Sequence, residues 1–172
     1  MTDTEFRNVL LFVLQERSFP DSVCHGLKHW NNVYLNARFL AEKEGVNPLI
    51  PSLFAICHDF QRLSDGADLQ HGPRAATRIK AEGGGIFSFL SEEELGDLVY
   101  ACQTHTGGRK APKQRIALCW DADRLDIGRV GIVPQTRFFH SQTARQMVER
   151  QDYSELDAYK KTQKTLGQWL YG

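Results

Sequence analysis

His58 and Asp59 end an apolar run, Leu53-Phe54-Ala55-Ile56-Cys57, within the stretch LFAICHDFQRL. Burying two ionisable groups costs several kcal/mol unless something pairs with them. Either a partner side chain satisfies the pair or a metal does. Imidazole nitrogen and carboxylate oxygen are both good ligands for Fe, Mn, Zn or Co. Neighbours on a helix point about 100° apart, so an ion resting between those directions takes one ligand from each. The dipeptide alone is a weak signal, and a His–Asp pair bonded to other core groups explains it more simply.

Other polar residues in apolar settings change that balance. His29 stands beside Trp30 in HGLKHWNNV, and Asp123 stands among three acidic residues in LCWDADRLDIG. His71 opens a helical stretch in QHGPRAA, and His105 closes one in ACQTHTGG. In chain order the pattern is His, His-Asp, His, His, Asp, each on a separate expected helix or helix end. Dimetal bundles collect inward-pointing ligands from several helices in this way. His25 lies four residues before His29, so both are expected on one helix face. It reads as an outer group beside the ligands, or as a surface residue. His140, in RFFHSQTA, has no evident partner and reads as structural.

The elements that must position these residues are helical. Phe6, Val9, Leu10, Val13 and Leu14 are spaced for one face of a helix over 4–17. Asp21 or Ser22 can cap a second helix from about Val23 to Glu44, stopped by Gly45. Asn47 as cap and Pro48 at the first turn open the central helix, apolar all round, which carries His58. A polar loop, SDGADLQHGP, leads to a helix that breaks at Gly83-Gly84-Gly85. Ser91 with Glu94 makes a capping box for the next helix. The stretch KQRIALCWDADRLDIG reads as helical until Gly128, and two more helices follow near 135–150 and 154–170. No strand alternation, repeat or low-complexity segment stands out. The expectation is one all-α domain over 1–172, a bundle of about seven or eight helices.

The order His29, His58-Asp59, Asp123, with HWNNV upstream and DADRLD downstream, resembles the HD-domain metal-dependent phosphohydrolase superfamily. The resemblance covers roughly residues 20 to 130. It implies an α-helical bundle holding one or two divalent metals, identity open among Mn, Fe, Ni, Co, Zn and Mg. It implies His29, His58, Asp59 and Asp123 as the primary metal site. Asp123 is preferred because Ala122-Asp123-Arg124-Leu125 is similar to the family's motif, with Asp121 and Asp126 as alternatives. His71 and His105 resemble the further histidines of dinuclear members; if both ligate, Asp59 bridges two metals. Otherwise they line the pocket and bind phosphate.

One position departs from the pattern. Many nucleotide-cleaving members carry an acid three positions after the Asp of the pair, where this chain has Arg62. A carboxylate can orient or deprotonate water; a guanidinium cannot. Arg62 would clamp a phosphate or pair with Asp65 or Asp68. The GYP signature of cyclic-dinucleotide members is absent. Asp59 and Arg62 are thus the candidate catalytic residues, and Arg62, Arg124 and His25 the candidate substrate-binding ones. Arg74, Arg78 and Arg129 are expected at the surface, though any that converge on the metal would give an anion pocket.

Composition sets the outer limits. Lys plus Arg equals Asp plus Glu at 21 each, so the chain has no electrostatic footprint for nucleic-acid polymer or an anionic membrane. The apolar run Val9–Leu14 is too short and too acidic in its flank for a signal peptide, and nothing approaches a membrane span. A cytoplasmic protein is expected. The four cysteines, Cys24, Cys57, Cys102 and Cys119, form no CxxC motif and read as small buried residues. The expected function is hydrolysis of a small phosphate ester, nucleotides being the first candidates, by metal-activated water. The alternatives are an HD-type dinuclear iron oxygenase, which uses four His and two Asp, and a non-catalytic metal-binding module.

Overall fold

The computed structural model describes residues 1–171 and is all-helical; no strand occurs among the described residues. The helices are α1 (Asp3–Glu16), α2 (Leu27–Glu44), α3 (Leu49–Cys57), α4 (His71–Ala81), α5 (Glu92–Thr104), α6 (Gln114–Arg124), α7 (Gln142–Arg150), α8 (Ser154–Thr162) and α9 (Leu166–Tyr171). Two 3₁₀ turns, Ile127–Val130 and Thr136–Phe138, lie between α6 and α7.

The short, apolar α3 is the centre. Every residue from Ile50 to Cys57 is buried. α2 and α6 pack on it and on each other, α5 closes a further side, and α4 lies against α5. Burial of each large apolar side chain on α3, such as Leu53, Phe54 and Ile56, stabilises the fold by about 2 kcal/mol relative to exposure. α1 covers this core with Phe6, Val9, Leu10 and Val13. Its start is fixed by a capping box between Thr2 and Glu5.

The expected capping box of α5 is present: the Ser91 hydroxyl accepts from Glu94 N, and the Glu94 carboxylate accepts from Ser91 N. Gly45 ends α2 in the left-handed region at φ 65°, where a glycine carries no Cβ penalty. Other boundaries differ from the sequence expectation. α2 starts at Leu27, because Ser22 caps only a local turn, accepting from His25 N at 2.7 Å. α6 ends at Arg124, and the 3₁₀ turn takes the chain on to Val130. The expected 154–170 helix is two helices, with Gln163 in extended backbone between them, which brings the α-helices among the described residues to nine. The second piece folds back onto the start of the chain. Arg7 Nε donates to Trp169 O at 3.2 Å, and the Phe6 and Trp169 rings meet edge to face at 5.1 Å.

Cys57, Cys102 and Cys119 are buried free thiols and Cys24 is half-buried, as expected of small core residues. Burial pushes the Cys57 thiol well above its ordinary value, so it is inert as a nucleophile. None of the described helices is long and apolar enough to cross a membrane.

Candidate metal centre

α3 stops at Cys57, which leaves His58 at its C-cap and Asp59 in the turn beyond. The pair therefore works from a helix end rather than from a continuing helix. The His58 ring stacks on Phe54 at 4.8 Å, and its Nδ1–H points back to the Phe54 and Ala55 carbonyls, 3.2 Å from each. Those contacts fix the tautomer and aim Nε2 into the bundle.

The same device recurs at the other histidines. His29, on the first turn of α2, gives its Nδ1–H to Asp126 Oδ2 at 2.8 Å. Asp126 is held in turn by Asn32 Nδ2 at 2.9 Å. His105, the C-cap of α5, gives Nδ1–H to Cys102 O at 2.7 Å. His71, the first residue of α4, bonds through Nδ1 to Asp68 O. All four rings thus spend Nδ1–H on the protein and present Nε2 to one another.

The Nε2 atoms and two carboxylates form two adjoining groups. In the first, His29 Nε2 and His58 Nε2 are 3.1 Å apart. Asp59 Oδ2 lies 3.7 and 3.6 Å from them, and Asp123 Oδ1 lies 3.4 and 3.7 Å away. In the second, His71 Nε2 and His105 Nε2 are 2.8 Å apart, with Asp59 Oδ1 at 3.0 and 3.8 Å. Lone pairs facing each other at such distances repel unless a cation lies between them. Ligand atoms about 2.1 Å from one ion stand roughly 3.0–3.4 Å apart; the observed spacings, from 2.8 Å to 3.8 Å, bracket that range, so small side-chain shifts would close them on an ion. These buried His and Asp groups can hold a metal, and the two oxygens of Asp59 reach different groups.

The electrostatics agree. Burial alone would raise the Asp59 carboxyl, but the His58 charge and hydrogen bonds from His105, His25 and His71 hold it well below the usual carboxylate range. Asp123 is lowered too: burial opposes ionisation, and the His29 bond with the charge at His58 overcomes it. Burial drives His58 down to about 3. His29 is raised despite its burial, through Asp123 and Asp126, and His105 is raised by Asp59.

The remaining sequence candidates divide. His25 gives Nδ1 to Asp59 Oδ2 at 2.8 Å and meets Arg129 NH2 at 3.2 Å, so it steadies the shared carboxylate. It stands before α2, not on it. Arg62 is buried and pairs with neither Asp65 nor Asp68, which removes the second of its two expected roles. Its Nε and NH2 donate to Ser64 O and Gly66 O at 3.3 and 2.8 Å. Asp65 is taken by Ser22, Val23 N and Cys24 N, and Asp68 by Arg74 and Leu63 N. Arg62 NH1 faces inward, 3.6 Å from Asp59 Oδ1 and 3.4 Å from His71 Nε2. Arg124 bonds to Phe138 O and Gly108 O at 2.7 and 2.8 Å. Arg129, expected at the surface, instead ties Cys24 O to the end of α6.

Of the three neighbouring aspartates, only Asp123 joins the donor group. Asp126 orients His29, a role the sequence reading missed; its signal was the spacing of His29 and Asn32 on one face of α2. Asp121 points away, fully buried, and accepts from His140 N, Ser141 N and the Ser141 hydroxyl. His140 therefore has a partner after all, in Asp121 at 3.2 Å.

The chain aligns over 92% of its length with the structure of a predicted HD superfamily hydrolase from an uncultured Thermotogales bacterium. The TM-score is 0.65, with 23% identity and 88% of that chain covered. The chain has the HD-domain fold. A second neighbour, a structural-genomics target from Lactobacillus plantarum, aligns over 95% of this chain and 87% of its own at 21% identity and TM-score 0.53. No family model matches the chain, and no curated protein matches it. The HD-domain fold here brings together all six residues for which the resemblance implied metal ligation: His29, His58, Asp59, His71, His105 and Asp123.

Proposed function

We propose that the protein is a divalent-metal-dependent phosphohydrolase acting on a small phosphate ester, with nucleotides among the candidates. The observation that carries this reading is the set of four Nε2 atoms and two carboxylates aimed at one another in a buried centre. The Thermotogales neighbour's description as a predicted hydrolase adds support. His29, His58, Asp59 and Asp123 would hold a first ion, and His71 and His105 a second through the other oxygen of Asp59. A metal bound there supplies an activated water and neutralises charge on a phosphoryl oxygen.

The chain's own residues do the rest. Asp126 and the carbonyls of Phe54, Ala55, Asp68 and Cys102 fix each ring by accepting its Nδ1–H and turn each Nε2 to the centre. His25 holds Asp59 Oδ2 in place. Arg62 NH1 is the cation turned into the centre, and it would pair with a phosphate oxygen held beside Asp59.

The test is metal analysis of protein purified without added metal, then a phosphomonoesterase and phosphodiesterase panel with several divalent ions. Asp59→Ala should abolish both metal loading and hydrolysis. Hydrolysis that survives this change would sink the assignment. The sharing of Asp59 between two groups also suits a dinuclear iron oxygenase. Iron in the purified protein, colour and oxygen consumption without phosphate release would establish that reading instead.

A further inference from the structure

The centre is closed on most sides. The side chains of His29, His58, Asp59, His71 and His105 are at most 4% exposed. Asp123, at 22%, is the most open donor. Access therefore lies at the C-terminal end of α6. Against that end sits a cavity of about 410 Å³, within the range of small-molecule sites, roughly 300–1,000 Å³. Two points join it to the centre. Thr106 lines the cavity, and its hydroxyl is 3.5 Å from His105 Nε2. Arg124 and Ile127, which follow Asp123 on the chain, line it too.

The wall has a definite chemistry. It carries no acidic side chain and two arginines, Arg109 and Arg124. Its outer part is apolar, with Ile132, Val133 and Phe138 each at least 52% exposed. Apolar side chains grouped at the surface of a cavity are a mark of a binding site. The cavity is also braced: Arg124 links Gly108 on one side to Phe138 on the other.

We propose that this cavity seats an apolar, ring-sized organic group of the substrate while its phosphate lies at the metal centre. The inference rests on the phosphohydrolase reading and narrows it to esters with an aromatic or otherwise apolar half. Binding is read directly, by calorimetry on Mn²⁺-loaded protein with phenylphosphonate and methylphosphonate, which are not hydrolysed. Phenylphosphonate should bind at least about tenfold more tightly, as burial of a ring predicts. The ratio of the two affinities should fall towards one in Val133→Asp and in Phe138→Ala, both at exposed positions outside the core. Equal affinities in the unaltered protein, or a ratio that neither variant changes, would overturn the proposal. If equal affinities accompany cleavage of phosphate esters, the cavity assignment alone fails. If neither phosphonate binds and no ester is cleaved, the phosphohydrolase reading fails, and this inference with it.

Discussion

Arg62 is a fixed positive charge beside a centre built for cations. Its NH1 lies 3.6 Å from the Asp59 oxygen that faces His71 and His105. A dication there meets closer repulsion than at the His29–His58 group, where Arg129 stands behind His25 and Asp126. Metal should therefore load in two steps, the second at least about tenfold weaker, a gap of about 1.4 kcal/mol. Arg62→Gln should narrow that gap in a calorimetric Mn²⁺ titration, without changing the first step. Protons act on the same atoms. His29 and His105 are raised above the ordinary imidazole value, whereas His58 titrates only near 3. A protonated Nε2 cannot ligate, so protons compete at His29 and His105 from a higher pH than at free imidazole. Metal affinity should fall as pH drops from 8 to 6, with protons released on binding; chelator competition at several pH values measures this. An affinity flat over that range would contradict the assignment of these two rings as ligands.

The ends of helices, more than their middles, do the positioning. His58 and His105 are C-caps, His71 opens α4, and Asp123 sits one residue before the end of α6. The end of α6 serves three tasks through Asp121, Asp123 and Asp126, and these separate by mutation. Asp121→Ala removes the acceptor of His140 N, Ser141 N and the Ser141 hydroxyl, leaving buried donors unpaired. It should cost about 2–4 kcal/mol in denaturant unfolding, yet leave the metal content of the folded protein intact. Asp123→Ala should do the reverse. Sequence periodicity and caps made most helices legible, because α1, α2 and α5 carry their start or stop signals locally. The ligand set was legible because His and Asp are conspicuous in apolar runs. Arg62 was not: its acceptors are backbone carbonyls of Ser64 and Gly66, and a carbonyl carries no residue signature. The split between α8 and α9 was also hidden, since Gln163, Lys164 and Thr165 include no Gly or Pro.

At the scale of the whole molecule, the donors come from five places along the chain, between residues 29 and 123. α7 braces that arrangement: Glu44 at the end of α2 accepts from Thr143 N on α7 at 2.8 Å. The contact of α9 with α1 has its own consequence. Arg7 reaching the Trp169 carbonyl brings the described ends of the chain together, so the path of the backbone is nearly a ring. A nearly closed ring can be opened elsewhere. Gly84 lies in an exposed turn, with nothing within 4 Å of where a Cβ would stand. A circular permutant joined across the old ends by a short flexible linker and cut at Gly84 should fold with the same helical content by circular dichroism. It would be born with His71 and His105 on opposite halves of its sequence, brought together only by folding.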